Sequence, residues 1–500
     1  MTDERHSSDE PTSISGSGFR FDTSYTQLPS MFYRAGRPGH APQPKVVIVN
    51  DALSKELDLR LADLVPETQA ALLSGQVLPE GSIPFSQAYA GHQFGGFAIL
   101  GDGRAHVLGE HLTPDGKRVD IQLKGSGRTS YSRGGDGRAT LGPMLREYII
   151  SEAMASLNIP TSRSLAVANT GAWVQRDELL PGAVLTRVAA SHLRIGTFEF
   201  AAVLDEPSHL QKLLSYAIDR HYPELAKASC PALALWDAVA KRQAALVASW
   251  MRVGFIHGVM NTDNVTISGE TIDYGPCAFI DRYAKATVFS SIDEGGRYAF
   301  GNQPAITRWN LARFAEALLP LIDDDQSKAI AILEERLEQF RTWMNEAWTD
   351  MMRDKLGLPE AHGDDISLAT DLLELMEDSA VDYTDTFRAL CGATALPQEL
   401  EDARGWAAWR ARWDERCHRA PGAQPSATTR ERMAKANPAV VPRNHLVEEA
   451  LTAAVQAEDL EPLHKLLAAL RSPYEERPEL IPFQKRPPDS SRRYRTFCGT

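Results

Sequence analysis

His257-Gly-Val-Met-Asn-Thr-Asp-Asn264, followed by Thr271-Ile-Asp-Tyr-Gly275, is the stretch of this 500-residue sequence from which fold and chemistry can be read. Asn264 offers an amide oxygen and Asp273 a carboxylate. Both are hard ligands suited to Mg²⁺ or Mn²⁺. An ion held by them would bridge nucleotide phosphates and offset the charge that builds up during transfer. The plainer reading is a surface turn, because Asn and Asp form turns and cap helices readily. The second Asp motif, a short way downstream, counts against it.

A His-Gly pair with an Asn in the eighth place, then apolar-Asp-aromatic-Gly, is the order of a kinase-type catalytic loop and metal loop. Such a site needs a strand Lys that contacts nucleotide phosphates and is held by a helix Glu. Arg118-Val-Asp-Ile-Gln-Leu-Lys124 alternates as a half-buried strand does, with Ala105-His-Val-Leu108 as a partner strand. Leu141, Met144, Leu145, Tyr148, Ile149 and Leu157 fit helical spacing and place Glu147 on a helix over 141–157. Thr140 is expected to cap its start, and Asn158-Ile-Pro160 to end it. Singly, a surface Lys and a solvated Glu are the bland readings; their joint placement favours a site. Ala183–Arg187 reads as another strand.

One position departs from the kinase order. Val259 stands where kinases of the His-Gly-Asp type place the catalytic base, and a Val accepts no proton. Asp263, beside the metal Asn, is the available carboxylate. Either it takes the base role from a new angle, or the acceptor meets a different phosphate.

Gly101-Asp-Gly-Arg104 and Ser132-Arg-Gly-Gly-Asp-Gly-Arg138 flank the Lys124 strand. Glycines let backbone approach phosphates, and Arg forks bind phosphate oxygens in pairs. Neither segment matches GxGxxG or a Walker A motif, and each alone is more readily a hairpin turn. Arg187 and Arg194 flank the lobe junction.

Hydrophobic residues at 43% and charged residues at 24% are ordinary for a globular chain. The length predicts more than one packed unit. A net charge of -13 argues against general nucleic-acid binding, which needs clustered Lys and Arg. No apolar run approaches the roughly 18 to 20 residues needed to span a bilayer. Met1–Ser17 has neither an apolar core nor an Arg-rich amphipathic pattern, so neither a secretory signal nor a transit peptide is expected. The five cysteines, Cys230, Cys277, Cys391, Cys417 and Cys498, are odd in number and lack a CxxC pair. That disfavours a zinc site or a secreted disulfide framework and predicts a cytoplasmic protein.

The expected fold class is α+β: a protein-kinase-like two-lobed fold with a C-terminal helical extension. Residues 1–18 are expected as a disordered tail and 19–190 as a mixed α/β N-lobe. Residues 191–325 follow as a mainly helical C-lobe, 326–474 as the helical extension and 475–500 as an extended tail. Helical spacing begins near Pro207 and continues over Trp236–Val253, Arg308–Ile322, Lys328–Thr349 and Leu446–Leu470. Trp343, Trp348, Trp406, Trp409 and Trp413 read as packing residues rather than a ligand cage. No seam for self-association stands out, so a monomer is expected.

Several stretches closely resemble the selenoprotein O (SelO) family, protein adenylyltransferases with a pseudokinase fold. They are Tyr89-Ala-Gly-His-Gln-Phe-Gly95, Leu100-Gly-Asp-Gly-Arg104, Leu123-Lys-Gly-Ser-Gly127, Tyr131–Arg138, Ser191-His-Leu-Arg194, His257–Asn264 and Asp273-Tyr-Gly-Pro276. The resemblance covers nearly the whole chain. It implies ATP bound flipped relative to kinases, with AMP moved to Ser, Thr or Tyr hydroxyls of protein substrates and pyrophosphate released. Some members also use UTP with Mn²⁺. Carried over by position, Gly101, Gly103, Arg104, Lys124, Asp136, Gly137, Arg187, Arg194 and Asp273 would contact nucleotide. Asn264 and Asp273 would hold Mg²⁺ or Mn²⁺, Asp263 would accept the proton, and Glu147 would pair with Lys124. Cys498 sits where some members carry selenocysteine, and Cys277 is the candidate partner for a redox disulfide; a buried, inert Cys277 is the competing reading. A conventional kinase and a nucleotide-binding pseudokinase scaffold are the alternatives. Val259 counts against the first, and the intact Lys124, Glu147, Asn264 and Asp273 against the second.

Overall fold

Alternation along Arg118–Lys124 decides which way the central strand faces. Ile121 and Leu123 enter an apolar cluster with Leu53, Leu57, Leu108 and Leu165. Asp120, Gln122 and Lys124 therefore point to the opposite side. The structure, a computed structural model, describes residues 13–487 and 494–496. Its strands include β1 (Tyr33–Ala35), β2 (Lys45–Val49), β3 (Phe85–Gln87), β4 (Ala90–Gln93), β5 (Gly96–Ile99), β6 (Ala105–Leu112), β7 (Arg118–Lys124), β8 (Arg163–Gln175) and β9 (Leu179–Ala189). The main sheet runs β1-β3-β6-β7-β9-β8-β2 and is antiparallel at each of these pairings. β4 and β5 form a separate hairpin. The three strands read from the sequence are present, those at 105–108 and 183–187 as parts of longer ones.

Helix α1 (Leu141–Ser156) packs on β8 and β9 and buries Leu141, Met144, Leu145, Tyr148 and Ile149 together with Glu147. Thr140 occupies the cap position, but its side chain makes no capping bond. The helix closes at Asn158, whose φ of 58° is a left-handed conformation that Asn tolerates.

The first helix after the sheet, α2 (Ile195–Ala202), lies ahead of the helical spacing read from near Pro207. The overlooked signal is Thr197, whose hydroxyl accepts the Arg194 backbone N–H at 3.2 Å and so braces the first turn. Then follow α3 (Pro207–His221), α4 (Pro231–Arg252), α5 (Gln303–Leu318) and α6 (Gln326–Leu356). Trp236 on α4 is buried and donates its indole N–H to the Leu311 carbonyl on α5 at 3.0 Å. The sheet lobe and the helical lobe make this an α+β, protein-kinase-like fold.

Three expectations about the chain change. Leu446–Leu470 is two helices, Asn444–Gln456 and Glu461–Leu470. Glu458 at φ 53° breaks the first, and Pro462 lies in the opening turn of the second, where its missing N–H costs nothing. Ser13–Ile14, inside the expected tail, pair in parallel with Leu78–Pro79. The C-terminal segment contains a short helix, Ile481–Gln484. In the extension, Trp406, Trp409 and Trp413 stack at centroid spacings of 5.1 and 5.5 Å, as packing residues do.

Candidate active site

Phe255–Ile256 and Ala278–Phe279 pair into a short ribbon, and the chain between them lays out both chemical loops. His257 is buried, and burial pushes its imidazole pKa down, favouring the neutral ring. Its Nε2–H donates to the Ile272 carbonyl at 3.0 Å, which fixes the residue before Asp273. Asp273 itself adopts φ 64°, uncommon for a residue with a side chain. Asn264 donates its amide N–H to the Val259 carbonyl at 3.0 Å, which orients its amide and leaves Oδ1 as the acceptor. Val259, with no acid–base chemistry of its own, thus positions Asn264 through its backbone.

Lys124 and Arg187 meet two carboxylates at the end of the sheet. Lys124 Nζ lies 2.7 Å from Glu147 Oε2 and also bonds Asp273 Oδ1. Arg187, opposite Gln122 in the register, donates from Nε to Glu147 Oε1 at 2.7 Å and from Nη2 to Asp273 Oδ1 at 3.2 Å. Burial alone would raise both carboxyl pKa values. Arg187 and Lys124 outweigh it and hold Glu147 below its ordinary value; Lys124, Arg187 and Arg104 hold Asp273 well below. Two positive and two negative groups form one network.

Asp263 is in a different state. Burial pushes its carboxyl up to about 6, against the opposing pull of Arg194. Its Oδ1 is buried without a hydrogen-bond partner. β4 lies against it: the His92 N–H donates to the Thr262 hydroxyl at 2.8 Å, and Thr262 donates to Glu199 at 2.6 Å.

These groups share one cavity of about 670 Å³ between the lobes. Gly101, Gly103, Arg104, Lys124, Asp136, Gly137, Arg187, Arg194, Asp263, Asn264 and Asp273 all line it, and Glu147 sits behind Lys124. The two glycine-rich segments are locked together there: the Thr129 hydroxyl donates to the Asp102 carbonyl at 2.6 Å, and Ser132 donates to that of Gly103 at 2.5 Å. Gly137, at φ 67°, leaves no room for a Cβ, which would meet the Gly127 carbonyl oxygen at 2.2 Å.

Other lining residues were not singled out from the sequence. Asp102 is buried, accepts the Gln87 N–H at 3.1 Å and faces Arg194 at 3.5 Å. Tyr89 lies under the Arg194 guanidinium at 4.1 Å. Both belong to quoted motifs, so a signal existed. Gln122 follows from period two with Lys124. Arg176, held by Asp136 at 3.0 Å, belongs to no motif. Arg104, Arg133, Arg138, Arg176, Arg187, Arg194 and Lys124 outweigh Asp102, Asp136, Asp263 and Asp273. A cationic cavity in a chain of net charge -13 suits a polyphosphate.

Cys277 is buried, and burial pushes its thiol up to about 12, far from the thiolate that exchanges disulfides. Thr496 donates its hydroxyl to the Pro276 carbonyl at 2.7 Å and its N–H to the Phe289 carbonyl at 2.9 Å. Thr496 is therefore fastened to the neighbour of Cys277. Cys498 lies outside the described residues.

Residues 17–471 match the family described as protein adenylyltransferase SelO. The chain belongs to the SelO family. A protein nucleotidyltransferase YdiU of Geobacillus kaustophilus is 53% identical over 97% of this chain and 99% of its own. The proteins of the same name from Halalkalibacterium halodurans and Nitrosococcus oceani are 53% and 52% identical, each over 97% of this chain and 98% of their own. This SelO-family chain is accordingly a nucleotidyltransferase. Among solved structures, ROP2 from Toxoplasma gondii, described as a virulence factor with a protein-kinase fold and no enzymatic activity, aligns at 11% identity and a TM-score of 0.22. It covers 66% of this chain and 86% of its own. Among the described residues no helix is long and apolar enough to cross a membrane.

Proposed function

We propose that this SelO-family chain transfers AMP from ATP to Ser, Thr and Tyr hydroxyls of cytoplasmic proteins and releases pyrophosphate. UTP with Mn²⁺ serves as a second donor, and the chain acts as a monomer. The observation that carries the reading is the pairing of Val259 with Asp263. The kinase base position holds a Val, while a buried carboxylate with an unpartnered oxygen faces the same cavity beside Asn264 and Asp273.

The acceptor oxygen attacks the α-phosphorus, the bond from that phosphorus to the bridging oxygen breaks, and pyrophosphate leaves with the bonding electrons. The hydroxyl proton passes to Asp263. A carboxyl pushed up to about 6 is a better proton acceptor than an ordinary one and is still ionised at neutral pH. Arg104, Arg187, Arg194 and Lys124 bind the phosphates and stabilise charge on the leaving group. Asn264 Oδ1 and the Asp273 carboxylate fit a hard cation: the Val259 carbonyl orients the first, and the second keeps Oδ2 free of hydrogen bonds among the described residues. Two protein oxygens completed by phosphate and water is the usual arrangement for Mg²⁺. When bound, the cation would neutralise phosphate charge.

The test is ATP labelled at either the α- or the γ-phosphate, incubated with enzyme, metal and a protein extract. Label entering protein from the α-position alone is expected. Label from the γ-position would make the enzyme a kinase.

A further inference from the structure

The β4–β5 hairpin leaves from the cavity and returns to it, since Tyr89 and Gly101 on either side both line the pocket. Its two-residue turn, Phe94-Gly95, has φ values of 50° and 88°. A turn with positive φ at both central residues normally takes Asn or Asp first, and an aromatic residue there is strained. The side chain held in this conformation is also 41% exposed; Phe97 and Ile99 on β5 are 45% and 58% exposed. Large apolar groups clustered on one short exposed hairpin are unusual for a free surface.

The hairpin is not loose. Its Phe94 N–H donates to Asn261 at 3.2 Å, the His92 N–H to Thr262 at 2.8 Å, and His92 Nδ1 to Glu199 at 2.6 Å. It is thus bolted to the loop that carries Asp263. The Gly91 side of the ribbon turns to Asp263, and alternation places Phe97 and Ile99 on the other side. There the His92 ring lies 5.3 Å from Phe97 and 5.4 Å from the half-buried Trp309. Arg297 stacks on Trp309 at 4.6 Å, beside Gly95, and forms no ion pair among the described residues.

We propose that this hairpin, with Trp309 and Arg297, is the docking surface for the acceptor protein. Its occupant is a segment in which apolar side chains lie next to a carboxylate, close to the hydroxyl that receives the nucleotide. The apolar groups cover Phe94, Phe97 and Ile99, and the carboxylate pairs with Arg297. This rests on the reading of the cavity as a site of transfer to protein hydroxyls.

The test uses a fluorescein-labelled peptide with one Tyr followed by Leu-Leu-Glu-Glu, and a control with both Leu replaced by Ser. Binding is followed by anisotropy, and ATP affinity is checked in parallel. The Leu peptide should bind the Phe94→Asn/Ile99→Ser variant about tenfold more weakly than the wild type, and Arg297→Gln several-fold more weakly. The Ser control should not distinguish them. Asn suits the turn, and Ile99→Ser alone repeats the test without touching it. Equal binding of the Leu peptide to wild type and variants overturns the proposal. So does sedimentation showing a wild-type dimer that the variant converts to monomer, which would make the patch a self-association surface. Anisotropy needs no turnover, so failure of α-label to enter protein would sink the functional reading separately.

Discussion

Gly91 lies so close to Asp263 that a Cβ built on it would sit 2.4 Å from Asp263 Oδ1. The same Cβ would meet Leu100 Cδ1 at 2.9 Å, so it has no clear side to move to. Gly91→Ala should therefore swing the carboxylate away from its position. Misplacement of a reacting group by about 1 Å can cost about a hundredfold in rate. Transfer is expected to fall by about tenfold or more, while ATP affinity, set by Lys124 and the arginines, stays within about twofold. Steady-state transfer and equilibrium nucleotide binding check this, and an unchanged rate would remove Asp263 from the chemistry.

The raised carboxyl of Asp263 gives a pH dependence with two signs. As proton acceptor it must be ionised, so kcat/KM should climb with pH to about 6 and then level. Asp263→Asn should abolish that activity. For stability the sign reverses. The folded pKa lies above the ordinary 3.8, so the group favours the fold below that value and loses the contribution as pH rises through about 6. Without nucleotide, Asp263→Asn should be more stable than wild type at neutral pH, by on the order of 1–3 kcal/mol. The gap should close towards about pH 4, as urea unfolding at the two pH values would show.

Lys124, Arg187, Glu147 and Asp273 act as one network, and their coupling is measurable. Lys124 and Glu147 side chains are 6% and 2% exposed. Removing one partner of a buried pair leaves a charge uncompensated, at about 3–5 kcal/mol. Lys124→Met and Glu147→Gln should each destabilise strongly, and the double variant should lose less than their sum. Additive losses in denaturant unfolding would mean the contact is not energetically coupled. Lys124→Met should also weaken ATP binding, since its Nζ faces the cavity.

That Asn264, Asp273 and Lys124 line one cavity was legible: the spacing of an amide and a carboxylate marks the two loops, and period-two alternation turns Lys124 towards them. The same alternation carried Gln122, though its signal is weaker because an amide is at home in many places. Arg176 was invisible, since its place depends on Asp136 across a loop and on no local pattern. The start of α2 was missed because the brace comes from Thr197, one helical turn inside. The break after Gln456 was hidden because both flanking helices bury an apolar stripe and the spacing runs on through the turn. Cys277 illustrates the remaining limit: position marks it as a candidate, but only packing fixes its thiol.

Tyr494 supplies a last prediction. Its hydroxyl accepts from Arg146 at 3.1 Å and bonds Glu448, which also pairs with Arg146. Arg146 precedes Glu147 on α1, so the chain end is fastened to the helix that positions Lys124. Tyr494→Phe removes two hydrogen bonds but leaves Arg146 and Glu448 paired with each other. The expected loss is therefore about 1 kcal/mol in unfolding free energy. Transfer should stay within about twofold, because Glu147 is clamped from the other side by Lys124 and Arg187. A large drop in transfer with little change in stability would show instead that the chain end sets the position of α1.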